Sequence, residues 1–305
     1  MRTLLHFLSR WQNLIGLGLV SVYVYAAIAA PQIAPPTDPE NPESFKVVGR
    51  VTDASPHPPS ATSPLGTTTG QYDMFYSIVW GTRSALKFGL TVALAAAVFG
   101  VLLGAISGFR GGLVNGFIMR ITDAFLAIPL IAGIWLFQQL LFPPHYIWEE
   151  FAPIQVALEA LGLNPVIMAF VLFSWMPYAR LTNANVERLK HADFILASQS
   201  LGAGKTRIVF KHLLPNTVTP AIVLLARDIG GMVVLEAAFT FIGLGLGNEW
   251  GALLVQNRSW IIGVGGNPFT YWWVYIPPTL ALIFFGIGWN LLGDGLNDLL
   301  NPRQR

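Results

Sequence analysis

Long apolar runs alternate with short polar segments along most of this chain. Six runs approach the ~20 apolar residues that a helix needs to cross the hydrocarbon of a bilayer. They cover residues 12–30, 86–109, 117–142, 156–178, 217–241 and 272–292. Because a helix satisfies its backbone hydrogen bonds internally, such runs predict an all-α polytopic membrane protein with six transmembrane helices.

The pattern also divides the chain into regions. Residues 1–30 hold a short N-terminus and the first helix, and residues 31–85 form a loop that is rich in proline, serine and threonine near its start. The end of that loop, Gln71–Trp80, carries aromatic residues at helical spacing, which predicts a helix in the membrane interface. A core transmembrane domain, 86–292, contains a polar loop at 181–215, and a tail follows at 293–305.

The distribution of lysine and arginine predicts the orientation. If the N-terminus is inside, the inner segments hold twelve of these residues and the outer segments five. Positive residues concentrate on the cytoplasmic side, so both termini are predicted to be cytoplasmic and residues 31–85 extracellular. Arg2 and Arg10 precede the first apolar run as in a signal peptide, but because further spans follow we interpret it as an uncleaved helix.

Composition supports a lipid environment and excludes several function classes. Hydrophobic residues make up 53% of the chain and charged residues 11%, against about 25% charged residues in soluble domains. The net charge of +2 is small and scattered, which argues against nucleic-acid binding. There is no cysteine, and the five histidines lie in different segments, so neither a metal site nor a thiol nucleophile is expected. We predict that the chain is not an enzyme.

The loop 181–215 has the pattern of two short amphipathic helices joined by a glycine. Apolar residues recur at helical spacing from His191 to Ala203, where Gly202 permits a sharp turn. Lys205–Leu213 predicts a second short helix, and Pro215 suits the start of the next span. We call residues 191–215 the docking element, because one face would pack on the membrane domain while the other meets a partner.

Within this element, Gly204-Lys205-Thr206 is similar to the end of a phosphate-binding loop. The first glycine of that motif would fall at Gln199, and the motif needs a preceding strand where this sequence predicts a helix. ATP binding by this chain is therefore not expected.

The fifth run carries three charged residues, Arg227, Asp228 and Glu236. Charges deep in a bilayer cost at least ~2.5 kcal/mol each, so they should face protein or a water-filled path. At 3.6 residues per turn, Asp228 and Glu236 lie about 80° apart around the helix, whereas Arg227 and Glu236 lie on opposite sides. We predict that Asp228 and Glu236 line a substrate path and that Arg227 braces a neighbouring helix; ion pairing within the protein is the alternative for all three.

Glycines recur every four residues in the second run, at Gly100, Gly104 and Gly108. Small residues at this spacing let two helix backbones approach closely. The partner helix belongs either to this chain or to a second subunit.

Several motifs together resemble one family, the permease subunits of binding-protein-dependent ABC importers. Ala197-Ser198-x-x-x-Gly202 followed by Ile208-x-x-x-His212-Leu213-Leu214-Pro215-Asn216 is similar to that family's EAA loop. Resemblance to its peptide-importer branch, C-type subunit, extends over residues 63–303 in collinear order. The stretches concerned are Ser63–Thr67, Gly108–Gly112, Met119–Asp123, Glu236–Gly245 and Asn290–Arg303.

The resemblance implies a type I importer fold in which the loop couples the permease to ATPases. It implies a second permease subunit, two cytoplasmic ATPase subunits that bind ATP and Mg²⁺, an extracellular substrate-binding protein and a peptide cargo, in membrane lipid. The motif glutamate is replaced by Leu196, and Asp193 from the adjacent helical turn is a candidate substitute. The implied coupling residues are Asp193, Ala197, Ser198, Gly202, Ile208, His212, Leu214 and Pro215.

Two other functions compete with this interpretation. A secondary transporter would show matching inverted halves and broken helices, which the sequence does not, and it has no use for the docking element. A membrane scaffold without transport activity would not require charged residues deep in a span.

Overall fold

The computed structural model describes residues 7–40, 42–49, 55–141, 164–244, 249–262, 267 and 269–300. Within these ranges the regular elements are helices, and β-structure is limited to two isolated bridges, Val47 with Tyr72 and Thr67 with Asp73. The prediction of an all-α protein is confirmed.

The helices follow the apolar runs of the sequence closely. They are α1 (Trp11–Ile28), α2 (Met74–Arg110), α3 (Gly112–Ala127), α4 (Leu130–Leu141), α5 (Pro165–Leu172), α6 (Met176–Leu189), α7 (Asp193–Ser200), α8 (Leu214–Phe241), α9 (Glu249–Gln256), α10 (Arg258–Ile262) and α11 (Ile276–Leu300). Single turns occur at Ala30–Ile33 and Trp272–Val274, and Lys205–Arg207 with the π-helical segment Ile208–Leu213 leads into α8.

The predicted six spans are accounted for if one of them is bent. Five helical runs within the described residues are long and apolar enough to cross a membrane: Trp11–Ile28, Met74–Arg110, Pro165–Leu189, Lys205–Phe241 and Trp272–Leu300. The sixth is the pair formed by α3 and α4, which turns by 96° between its two helices. The chain is therefore a multi-pass membrane protein.

This bend corrects the prediction of one straight helix over 117–142. Ile128 is extended, with φ −80° and ψ 126°, and it precedes Pro129. Proline lacks a backbone N–H and pushes the preceding residue out of the helical region. The helix therefore stops at Ala127, although the apolar run continues past it.

The second span begins earlier than its apolar run. Helix α2 starts at Met74 rather than at residue 86, so most of Gln71–Trp80 forms the first turns of this 37-residue helix. There, the Tyr76 hydroxyl donates to the carbonyl of Glu43 at 2.8 Å and the indole of Trp80 to the carbonyl of Ala34 at 2.9 Å. These rings tie the preceding segment to α2.

The fourth span has a helix start at Pro165 within the described residues, and it ends later than its apolar run. Asn164 accepts hydrogen bonds from the backbone N–H groups of Val166 and Ile167, and Pro165 occupies the first helical position, an arrangement that starts a helix. The helical run continues through Leu189, so residues 181–189 are helix and not loop. The first part of the predicted span, 156–163, lies outside the described residues.

The glycine stripe of α2 packs within this chain. A Cβ atom at Gly100 or Gly104 would overlap the carbonyl oxygen of Trp175 or Ala179, and one at Gly108 would lie 2.8 Å from the carbonyl oxygen of Asn183. Backbone-to-backbone contact between α2 and α6 thus decides the question left open by the sequence: the partner helix belongs to this chain.

The chain divides into two compact units. One contains Thr91–Asp228 together with 293–300, and its core is built where α2 and α8 pack on α6. The other contains Leu8–Leu90 and Ile229–Leu292. The predicted docking element and most of the polar groups described below belong to the first unit.

Trp250 of α9 organises the second unit. It is fully buried, meets the rings of Tyr23 and Phe285 edge-on at centroid distances of 6.0 and 5.6 Å, and donates its indole N–H to the carbonyl of Ile78 at 3.1 Å. One buried tryptophan therefore joins helices α1, α2, α9 and α11.

Candidate docking element

Helix α7 ends in a turn that requires glycine. The N–H of Gly202 donates to the carbonyl of Gln199 at 2.9 Å, and the N–H of Ala203 donates to the carbonyl of Ser198 at 3.1 Å. This pair of bonds is the Schellman motif, whose turning residue adopts the left-handed conformation. Gly202 has φ +80°, which confirms the predicted glycine turn.

The inner face of the docking element is anchored by Ile195. This side chain has no solvent exposure and belongs to a buried cluster with Ala105 of α2, Val186 of α6, and Ile208 and Leu213 of the following segment. The cluster therefore holds α7 against the ends of two spans.

A polar contact joins the two halves of the element. The Ser198 hydroxyl lies 3.2 Å from Nε2 of His212, two residues that the EAA-loop resemblance selects. The hydrogen bond bridges the glycine turn, so α7 and the segment after it form one folded unit.

The outer face is apolar and exposed. Phe194 and Leu196 are each 46% exposed and Leu201 is 89% exposed. At 100° per residue, Phe194 and Leu201 lie on one side of α7 and Leu196 lies on another. Large exposed apolar side chains of this kind mark interaction sites. Among the predicted coupling residues, Asp193, Ala197, Gly202 and Pro215 are exposed, Ser198, His212 and Leu214 are half-buried, and Ile208 is buried.

The second half of the element is not a separate short helix, as the sequence suggested, but the start of the fifth span. Lys205 to Phe241 forms one helical run. At its widened π-helical turn the N–H of Leu214 donates to the carbonyl of Val209. Pro215 has no N–H to continue the α-helical pattern, and the side chain of Asn216 instead donates to the carbonyl of His212 at 2.6 Å. The wide turn therefore lets the helix continue beyond Pro215.

The Gly204-Lys205-Thr206 stretch has a different context from that of a phosphate-binding loop. Gly204 caps the start of a helix with φ −65° and ψ 153°. The preceding element is helix α7 and not a strand, so the second requirement of the motif is not met.

A polar network at the ends of α2, α3 and α6 was not predicted. Asn183 donates to Asn115 at 2.8 Å and to the Ser107 hydroxyl at 2.9 Å, while Asn115 donates to Glu187 at 2.9 Å. Lys190 closes the network by donating to the carbonyl of Gly108 at 3.0 Å. The network fixes the helix ends on which the docking element rests.

The charged residues of the fifth span have different surroundings. The Tyr178 hydroxyl donates to the carboxylate of half-buried Asp228 at 2.7 Å. Arg227 forms an ion pair with Asp294 of α11, because that helix runs through Leu300 instead of ending before a tail at 293. Glu236 is only 1% exposed.

Tyr178 and Asp294 are thus partners that the sequence did not identify. Tyr178 lies fifty residues from Asp228 in an apolar run, where no local pattern marks it. Asp294 falls in the segment 293–305, which the sequence predicts as a tail. It lies only two residues beyond the apolar run 272–292. An acidic residue so close to the end of one span, together with an arginine inside another span, is the signal for this ion pair.

Comparison with known proteins identifies the family. A family model described as the inner membrane component of binding-protein-dependent transport systems matches residues 100–305. The dipeptide transport system permease protein DppC of Alkalihalophilus pseudofirmus is 29% identical over 295 residues, 96% of this chain and 86% of that protein. The glutathione transport system permease protein GsiD of Pectobacterium atrosepticum is 33% identical over 81% of this chain and 75% of that protein. The di/tripeptide transport system permease protein DppC of Pseudomonas aeruginosa is 31% identical over 95% of this chain and 88% of that protein. The family model covers more than half of the sequence, and the chain therefore belongs to the inner membrane components of binding-protein-dependent transport systems.

Proposed function

We propose that this chain is a permease subunit that forms half of the translocation path of an ATP-driven importer of di- or oligopeptides. A substrate-binding protein outside the cell delivers the peptide, and a second permease subunit supplies the other half of the path. Two cytoplasmic ATPase subunits bind ATP and Mg²⁺ and drive the cycle. This chain binds no nucleotide and catalyses no reaction.

The observation that carries the proposal is the two-sided docking element. Its inner side is fixed by Ile195, while Phe194 and Leu201 project outwards together on another side. Exposing these two large apolar side chains is unfavourable unless a partner covers them. An ATPase subunit seated on this face would pass its movement to the spans that follow.

Two further observations support orientation and cargo. The excess of lysine and arginine on one side favours cytoplasmic termini, which places the docking element where ATP is available. The names of the related permeases mention dipeptides, di- and tripeptides and glutathione, and these support a short peptide as the cargo.

Asp228 and Glu236 are the residues that we propose for the substrate path, with Arg227 as a brace. A peptide carries an amino group and a carboxylate through a layer of low dielectric, and fixed polar groups along the path replace its water. The ion pair of Arg227 with Asp294 supports its role as a brace. Cysteine placed at 228 or 236 in this cysteine-free chain should react with a small water-soluble thiol reagent, at a rate that depends on nucleotide. Inert cysteines in every state of a transporting complex would place the path elsewhere.

The test of the function is uptake of a labelled dipeptide into proteoliposomes that contain the complex with its binding protein. Uptake should require ATP and persist when ionophores collapse ion gradients, which separates it from secondary transport. Leu201→Ser should weaken attachment of the ATPase subunits by about tenfold or more, since a buried leucine contributes ~1.5–3 kcal/mol. Leu113, which is 93% exposed and lies outside the docking element, provides the control Leu113→Ser. Uptake that follows an ion gradient and ignores ATP would refute the proposal.

A further inference from the structure

A groove of about 1080 Å³ lies beside the docking element. Its walls are the last turns of α2, the start of α3, the outer edge of α7 and the first turns of the helical run that begins at Lys205. It is a surface feature separate from Asp228 and Glu236, and it shares Leu196 and Lys205 with the docking element.

The groove changes from apolar to cationic in one direction. Leu102, Ile106 and Arg110 follow one another at four-residue spacing on α2, so they form a stripe on one face. Leu102 and Ile106 are exposed, and the stripe ends in the guanidinium of Arg110, the last residue of the helix. On the opposite wall Phe210 is exposed one to two turns inside the helical run that Lys205 starts. Both walls are thus apolar along the spans and basic at their ends.

Positive charge is concentrated at the basic end. Arg110, Lys190 and Lys205 line the groove, and no Asp or Glu is among the described residues that line it. Lys190 lies 3.9 Å from Glu187, outside the groove, so this acid offsets part of one charge. The remaining excess of positive charge favours the binding of an anion.

We propose that this groove binds one anionic phospholipid, such as phosphatidylglycerol. The phosphate would lie among Arg110, Lys190 and Lys205, and an acyl chain would lie along Leu102, Ile106 and Phe210. Basic pockets between spans at the cytoplasmic surface are suited to anionic headgroups. The lipid proposal rests on the proposed function in one respect, because it places this end of the groove on the cytoplasmic side. A soluble anion would leave the apolar stripe uncovered, whereas a phospholipid matches both ends of the groove.

A lipid in this position would affect the docking element directly. Leu196 of α7 and Lys205 after the glycine turn both line the groove, so the lipid would contact both halves of the element. The bound lipid would stabilise the packing of α7 through Ile195 against α2 and α6. Transport would then depend on the anionic lipid content of the membrane.

The test is native mass spectrometry of the full-length chain in a mild detergent with equal amounts of phosphatidylglycerol and phosphatidylethanolamine of identical acyl chains. We expect the chain to retain the anionic lipid preferentially. The double variant Arg110→Gln/Lys205→Gln should lower that preference roughly twenty-five-fold, at about fivefold per cation. The matched control Arg207→Gln/Lys211→Gln removes the same charge from exposed positions that do not line the groove, and it should change the preference less than twofold.

Two further arms separate a lipid site from a simple anion site. Excess inorganic phosphate should leave the lipid bound, because the acyl contacts hold it. Phe210→Ser should reduce retention of both lipids while keeping their ratio. The proposal is overturned if the wild-type chain shows no preference, if both double variants lower it equally, or if phosphate displaces the lipid. The assay needs neither ATP nor peptide, so its failure and a failure of the transport assay are distinguishable.

Discussion

Substitution of Gly202 by valine tests whether the glycine turn couples ATP hydrolysis to transport. A Cβ at this position meets no atom within 4 Å, so the cost of the substitution comes from the backbone alone. A residue other than glycine in the left-handed conformation loses about 1–2 kcal/mol. The ratio of the folded turn, in which Ser198 lies beside His212, to its unfolded forms would therefore fall by a factor of about 5–30. Because the buried cluster around Ile195 stays intact, we expect the subunit to insert and assemble while transport-coupled ATP hydrolysis is lost.

The assay is ATP hydrolysis by the complex in proteoliposomes, with and without the loaded binding protein. Gly204 provides the matched control, since it lies two residues away, has an ordinary φ of −65°, and also has no atom within 4 Å of a Cβ. Gly204→Val should keep stimulated hydrolysis, and Gly202→Val should lose it. Equal behaviour of the two variants, or normal stimulation in Gly202→Val, would refute the argument from the left-handed turn.

Three other predictions follow from the packing and from the sequence. Gly104→Val should lower the melting temperature of the chain in detergent, because its Cβ would overlap the carbonyl oxygen of Ala179 and overpacking costs about 1–3 kcal/mol or more; Gly116→Val, where nothing lies within 4 Å, should not. Tyr178→Phe removes the hydrogen bond to Asp228 and should destabilise the chain by ~0.6 kcal/mol and at most ~1.7 kcal/mol; a neutral effect on melting would show that the bond adds nothing. The purified chain alone should show no saturable nucleotide binding in equilibrium dialysis, and saturable binding would overturn the assignment of ATP to partner subunits.

Local signals in the sequence were sufficient for much of this fold. The five helical runs that are long and apolar enough to cross a membrane follow from hydropathy, since lipid requires long apolar helices. The turn at Gly202 follows from the stereochemistry of one residue. The four-residue spacing of glycines in α2 indicated a close helix contact, and only the structure identified α6 as the partner.

Other features depend on contacts between distant segments and could not be predicted in this way. Hydropathy does not report the direction of a helix axis, so the apolar run around Pro129 gave no sign of the 96° bend between α3 and α4. Pro129 itself was the local signal for this bend. The Tyr178–Asp228 bond and the Arg227–Asp294 pair join residues 50 and 67 positions apart. Such pairs are set by helix packing, which a single sequence does not specify.

The uninterrupted helical run from Lys205 to Phe241 has a mechanical consequence. At 1.5 Å per residue, the 23 residues from Lys205 to Asp228 make a rod of about 35 Å that begins inside the docking element. A push or tilt applied at one end is delivered to the carboxylate at the other without passing through a flexible joint. Pro220, inside α8, removes one backbone hydrogen bond from the rod. Pro220 and the π-helical turn before Pro215 are the places where this helical run can bend. Their stiffness would set how much of a movement at Lys205 reaches Asp228.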